Sequence, residues 1–167
     1  MTSPLNAVPA GSNILVDANI FIHGLSAKSA QCKAFLGRCS KEEVTGVALF
    51  ETVNDATYQF MKGEAVQKGF CSGQAMKYLA EHPDVVGKLA DYWVNAERLL
   101  ALNLLFVPVD EEIVRSAQAE RVSAGLMTND SIMVAAMRKY GIPRIATHDR
   151  QFEGVAGLTV FSPSDIP

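Results

Sequence analysis

Five short apolar runs, each separated by helix-length stretches, constrain this 167-residue chain more than any other feature. They lie at 13–17 (Asn13-Ile14-Leu15-Val16-Asp17), 44–47, 104–109, 144–148 and 158–161. Between them apolar residues recur at helical spacing, as in Leu49, Val53, Ala56 and Phe60, or Ile132, Met133, Ala136, Met137 and Tyr140. Strands alternating with helices at this spacing predict a three-layer α/β domain, with strands of the parallel-sheet kind. In such sheets ligands bind outside the carboxyl ends of the strands. Two of the runs end in an acid at that position, Asp17 and Asp149. Glu51 falls in the first turn of the helix after the second run, and Asp130 begins a helix after a loop, with Thr128 or Asn129 as its expected cap.

Residues 1–12, with two prolines and a glycine, read as a loose leader, and 13–167 as one domain. Residues 63–104 read as an added helical pair within it. The break Lys68-Gly69-Phe70-Cys71-Ser72-Gly73 precedes a helix start at His82-Pro83-Asp84. Val86, Leu89, Ala90, Trp93, Ala96, Leu99 and Leu100 then form a stripe, which predicts Trp93 in the core. Asp110, Glu111 and Glu112 open the next helix, where acids complement the helix dipole.

The formal charge of −3 argues at first against a nucleic-acid partner. Setting the four strand-end acids apart from the 18 Asp and Glu leaves 14 against 15 Lys and Arg, so the remaining surface is close to balance. Cys32, Cys39 and Cys71 have no metal-ligand spacing and are expected as thiols in a reducing compartment. No stretch reads as a signal peptide or a membrane span, so the protein is expected to be soluble and cytoplasmic.

Carboxylates gathered at one sheet edge, with no lysine or arginine beside Asp17 or Asp130 in the sequence, suit a hard cation such as Mg²⁺ or Mn²⁺. Metal-dependent phosphodiester hydrolysis needs such oxygen ligands and a water that the metal makes nucleophilic. Taken singly, each acid has a plainer reading as a turn, cap or solvated residue.

The words around the acids carry more. Val16-Asp17-Ala18-Asn19-Ile20-Phe21, then Val47-Ala48-Leu49-Phe50-Glu51, resemble the opening of a PIN domain. Thr128-Asn129-Asp130-Ser131-Ile132-Met133-Val134-Ala135-Ala136 is similar to the family's third acidic motif, and Gly141-Ile142-Pro143-Arg144-Ile145-Ala146-Thr147-His148-Asp149-Arg150-Gln151-Phe152 to its fourth. The resemblance implies a three-layer α/β/α PIN-like fold, with a five-stranded parallel sheet, helices on both faces and a pocket for Mg²⁺ or Mn²⁺. It implies an endoribonuclease that hydrolyses RNA phosphodiester bonds, with Asp17, Glu51, Asp130 and Asp149 in the metal-binding and catalytic roles. Asn19 and Thr147 match polar positions that support the site.

Many relatives of this size are VapC-like toxins of toxin–antitoxin pairs, so the implied partners are RNA, an antitoxin protein and a second copy in a homodimer. The alternatives are a PIN nuclease of RNA processing and a non-catalytic PIN scaffold or RNA-binding module. Residues 63–104 lengthen the chain relative to compact toxins. Arg144 and Arg150 bracket the fourth motif and are candidates for an RNA phosphate. His148 should point to the face opposite Asp149 and is expected to be structural. Lys28, Lys33, Arg38 and Lys41 read as a wet helix face or an RNA-backbone track. An aspartyl-nucleophile phosphatase is a poor fit, because Asn19 stands where its general acid would be. A receiver-like domain lacks its late strand-end lysine, since Lys139 falls inside a helix.

Overall fold

In a computed structural model that describes residues 2–166, the expected runs pair into one parallel sheet. The strands are β1 (Ser3–Pro4), β2 (Asn13–Val16), β3 (Thr45–Leu49), β4 (Leu105–Val107), β5 (Arg144–Ala146) and β6 (Thr159–Ser162), in the order β1-β6-β5-β2-β3-β4. The central strand β2 pairs in parallel with β3 and with β5, Leu15 standing opposite Val47 and Ile145.

Alternation along the strands builds the three layers. Ile14 and Val16 face one side, packed with Ile20, Phe21, Phe35 and Phe60 from helices α1 (Ala18–Leu25), α2 (Ala30–Ser40) and α3 (Phe50–Gln67). Leu15 faces the other, with Ile113, Ala117, Val134 and Met137 from α7 (Glu111–Ala124) and α8 (Thr128–Tyr140). Such two-sided burial explains why the strands read as continuous apolar runs. Gly125 and Gly141 end α7 and α8 at φ +67° and +64°, a left-handed turn that glycine enters at no steric cost.

Four features depart from expectation. The sheet has six strands rather than five. The sixth lies within residues 1–12, expected as a loose leader: Ser3 pairs with Phe161, and Leu5 and Val8 are buried. Second, 63–104 holds the end of α3 and three short helices, α4 (Ala75–Glu81), α5 (Pro83–Val86) and α6 (Asp91–Leu100), around a small core of Ala65, Leu79, Val85 and Leu89. Third, Trp93 is 49% exposed. Within α6 the inward line runs through Tyr92, Ala96 and Leu99; Trp93 sits to one side of it, and its indole donates to Glu97 at 3.0 Å. Fourth, Thr128 is the first residue of α8 and Met127 its cap, although Thr128 or Asn129 was expected there.

Glu64, late in α3, joins the added helices to the domain. Its buried carboxylate accepts from Lys68 Nζ at 2.6 Å, from the Ala90 N–H at 2.9 Å and from the Tyr92 N–H at 2.7 Å. Burial raises its pKa, but these donors outweigh burial and hold the acid at about 2. Of the basic stretch, Arg38 is taken up structurally, donating to the Val8 carbonyl at 2.7 Å and pairing with Glu43. Cys32 and Cys39 are buried free thiols. Among the described residues no helix is long and apolar enough to cross a membrane.

Candidate active site

From β2 the chain steps outward through β3 to β4, then returns to place β5 on the other side of β2. The order of strands therefore switches between β2 and β5, which opens a crevice at their carboxyl ends. Asp17 leaves β2 as the residue before α1, its N–H donating to the Ala146 carbonyl at 3.0 Å. Thr147 and Asp149 leave β5 directly opposite.

A compact hydrogen-bond network fixes this edge. The fully buried Thr147 donates its hydroxyl to Asp17 Oδ2 at 2.6 Å, and accepts from the Asp149 N–H at 2.9 Å and from Asn19 Nδ2 at 3.2 Å. Asn19 Nδ2 also donates to Asp17 Oδ2, while Asn19 Oδ1 accepts from the His148 N–H at 3.0 Å. Asp149 Oδ1 accepts from the Gln151 N–H at 2.8 Å and caps the 3-10 turn Arg150–Gly154. Asn19 and Thr147, singled out as supporting residues, thus touch Asp17 itself.

The acids share one field. Burial pushes Asp17 up to about 6, and the charges of Asp130 and Asp149 add to it, against the pull of the Thr147 hydroxyl and the Ala18 N–H. Burial also raises Asp130, with Asp149 adding to the shift. Among the described residues none of the ion pairs includes Asp17, Glu51, Asp130 or Asp149. Perturbed carboxylates in a cleft without a neutralising partner make a candidate functional site.

Glu51 stands apart. It is exposed in the first turn of α3, and the group its charge raises is Asp55, one turn further on. For Asp55 burial is the larger cause, and a bond from Asn129 opposes the shift. That bond, Asn129 Nδ2 to Asp55 Oδ2 at 3.3 Å, links the helix of Glu51 to the start of the helix of Asp130. Sequence reading passed over Asp55; the signal was an acid four residues after Glu51, on the same helix face.

The two arginines separate. Arg150 lines a groove with Asp149, whereas Arg144 starts β5 at the opposite end of the sheet, roughly 10 Å of strand before Thr147. His148 lines the same groove, and its ring meets that of His23 edge-on at 6.1 Å between centroids.

Among the described residues no three His, Cys, Asp or Glu side chains stand close enough together to form a ready-made metal cage. Mg²⁺ does not require one: it keeps several waters and binds through one or two carboxylates. The donor set is all oxygen, and a divalent cation would offset both the burial that chiefly raises Asp17 and the smaller repulsion from Asp130 and Asp149. By that chemistry the residues fit such an ion.

The chain belongs to the PIN domain family, which matches residues 14–158. Solved structures share the fold at low identity. The VapBC2 complex of Rickettsia felis bound to a promoter DNA fragment superposes with a TM-score of 0.60 at 12% identity, over 90% of this chain and 98% of that one. A toxin–antitoxin complex from Klebsiella pneumoniae gives 0.56 at 16%, over 87% and 95%. The Mycobacterium tuberculosis toxin VapC20, described as cleaving the sarcin–ricin loop, gives 0.55 at 15%, over 84% and 92%. Among curated proteins no sequence matches.

Proposed function

We propose that this PIN domain is a Mg²⁺- or Mn²⁺-dependent endoribonuclease and the toxin component of a toxin–antitoxin pair. The family's members are typically nucleases. The observation that carries the reading for this chain is the set Asp17, Asp130 and Asp149, which share one field at the switch-point crevice without a cationic side chain to balance them. These three would hold the ion, with Glu51 entering from the start of α3. When bound, the metal supplies a nucleophilic water and neutralises charge on the phosphate. Thr147 and Asn19 hold Asp17 in one orientation, and Thr147 also fixes the backbone that carries Asp149. Arg150, which lines the groove with Asp149, would meet a phosphate there.

The toxin role rests on the fold shared with three proteins from toxin systems, and with it go an antitoxin partner and a homodimer as proposals. The test is Mn²⁺-dependent cleavage of single-stranded RNA by the wild type, Asp17→Asn and Asp130→Asn. Both variants should be folded and inactive; cleavage equal to wild type would remove the carboxylates from the chemistry. Mn²⁺ should also raise the melting temperature of wild type more than that of Asp149→Asn. For the toxin role, expression of the wild type alone should arrest growth, and expression of Asp17→Asn should not.

A further inference from the structure

The acid crevice continues past Asp149. A groove of about 950 Å³ runs on toward the β6–β1 edge, with Asn19, Asp149 and Arg150 on one side and Ser162, Pro163 and Ser164 on the other. Asn19 belongs at once to the groove and to the hydrogen-bond network of Asp17, so the two spaces are continuous. The far side is fastened to the start of α2. Ser29 Oγ donates to Asp165 Oδ1 at 2.6 Å and the Gln31 N–H to Asp165 Oδ2 at 3.0 Å. Gln31 Nε2 donates to Ser164 Oγ at 2.9 Å, and its Oε1 accepts from the Ser164 N–H at 2.9 Å. Four hydrogen bonds thus set this wall before any ligand arrives, which lowers the cost of binding. The lining mixes hydroxyl, prolyl and aliphatic groups with the Asn19 amide, the His148 imidazole, the carboxylates of Asp149 and Glu153 and one guanidinium, so it offers a phosphate a single cationic side chain that is always charged. That chemistry suits the sugars and bases of a single strand with one backbone phosphate held by Arg150.

We infer that this groove seats the single-stranded RNA segment that flanks the scissile phosphate, so that the strand leaves the acids over the β6–β1 edge. The competing path is a second groove of about 590 Å³ between α3 and α6, lined by Gln59, Lys62, Gln67 and Asn95. The inference rests on the nuclease reading for its substrate.

The experiment is photocrosslinking of 4-thiouridine-substituted single-stranded RNA to the full chain without Mn²⁺, with the attached peptides mapped by mass spectrometry. Crosslinks are expected in 148–153 and 160–166. Crosslinks confined to 59–67 and 91–95, or none at all, overturn the inference, and the second outcome leaves the groove to a protein partner. Alongside, Arg150→Ala should weaken binding of a short labelled RNA about tenfold and flatten the salt dependence by about 0.7 in log–log slope. Arg150 is exposed, so the fold should tolerate the change. Asp165→Ala, which releases the wall, should weaken binding severalfold, with Asp165→Asn in between. Wild-type binding by both Arg150→Ala and Asp165→Ala overturns the inference. Neither readout needs cleavage, so the two readings fail separately. RNA seated here without Mn²⁺-dependent hydrolysis removes the nuclease and keeps the groove. Hydrolysis with crosslinks elsewhere removes the groove and keeps the nuclease.

Discussion

Asp17 and Glu64 are both carboxylates drawn out of water, and the protein treats them in opposite ways. Glu64 is saturated by two backbone N–H groups and the Lys68 ammonium, which hold it at about 2. Asp17 receives donors too, from Thr147 and Asn19, yet burial and two neighbouring carboxylates push it up to about 6. Glu64 contributes stability as it stands. Asp17 is held in a field that costs stability, and on the proposed reading a bound cation would relieve it.

The largest expected effect is on catalysis and should divide the pair cleanly. Asp17→Asn should bring Mn²⁺-dependent cleavage down to background while leaving the metal-free protein no less stable above pH 6. Glu64→Gln should do the reverse: cleavage persists at low temperature, but the fold weakens by on the order of 3 kcal/mol, a drop of roughly 6–12 °C in melting temperature for a domain of this size. Loss of cleavage in Glu64→Gln at a temperature where circular dichroism shows it folded would break the comparison.

Acid unfolding tests the same contrast by sign. Glu64 has a folded pKa of about 2 against 4.5 for the free group, so its contribution is complete above pH 4.5 and is lost as pH falls toward 2. Asp17, raised from 3.8 to about 6, runs the other way in metal-free protein: its charge weakens the fold above pH 6, and protonation relieves this as pH falls toward 3.8. Denaturant melts of wild type and Glu64→Gln from pH 6 to pH 2.5 should therefore converge at the acid end. Parallel curves would show that the Glu64 charge contributes nothing.

A smaller effect separates the site's supports from its ligands. Thr147→Val keeps volume but removes the hydroxyl that joins Asp17, Asn19 and the Asp149 backbone. Mn²⁺ affinity should fall about 10–100-fold, the usual loss for a group that orients a metal ligand. Isothermal titration checks it, and an unchanged affinity would make Thr147 merely a buried strand-end residue.

What could be read from the sequence followed the same division between local and long-range physics. Period and β-branched runs placed strands 13–17, 44–47, 104–109, 144–148 and 158–161 within a few residues of where they form, because two-sided burial leaves its mark in each run. Asp17 and Asp149 were visible as strand-end acids for the same local reason. Ser3–Pro4 was not visible, since a two-residue edge strand has no period and exists only through Phe161 and Ser162. Asp55 carried a local signal in its spacing from Glu51, but its link to the helix of Asp130 depends on Asn129, 74 residues away. The structural role of Glu64 escaped too: an acid late in a helix reads as solvated until the N–H groups of Ala90 and Tyr92 are folded onto it. Arg144 and Arg150 looked equivalent in the sequence, and only the direction of β5 tells them apart.

The smallest expected effect concerns the part of 75–100 that Glu64 does not reach. Trp93 sits one residue past Tyr92, whose N–H Glu64 holds, yet its own ring is half exposed and donates to Glu97 on the next turn. If the added helices are secured through Glu64 and the core of Ala65, Leu79, Val85 and Leu89, Trp93→Ala should change stability by no more than about 0.5 kcal/mol. Leu79→Ala, on the inner side of the same segment, should cost about 2–4 kcal/mol. Equilibrium denaturation of the two variants decides the matter. A Trp93→Ala loss as large as that of Leu79→Ala would mean that the outer face of α6 is packed against something in solution, and the exposed tryptophan would then belong with the interfaces of this protein, not with its idle surface.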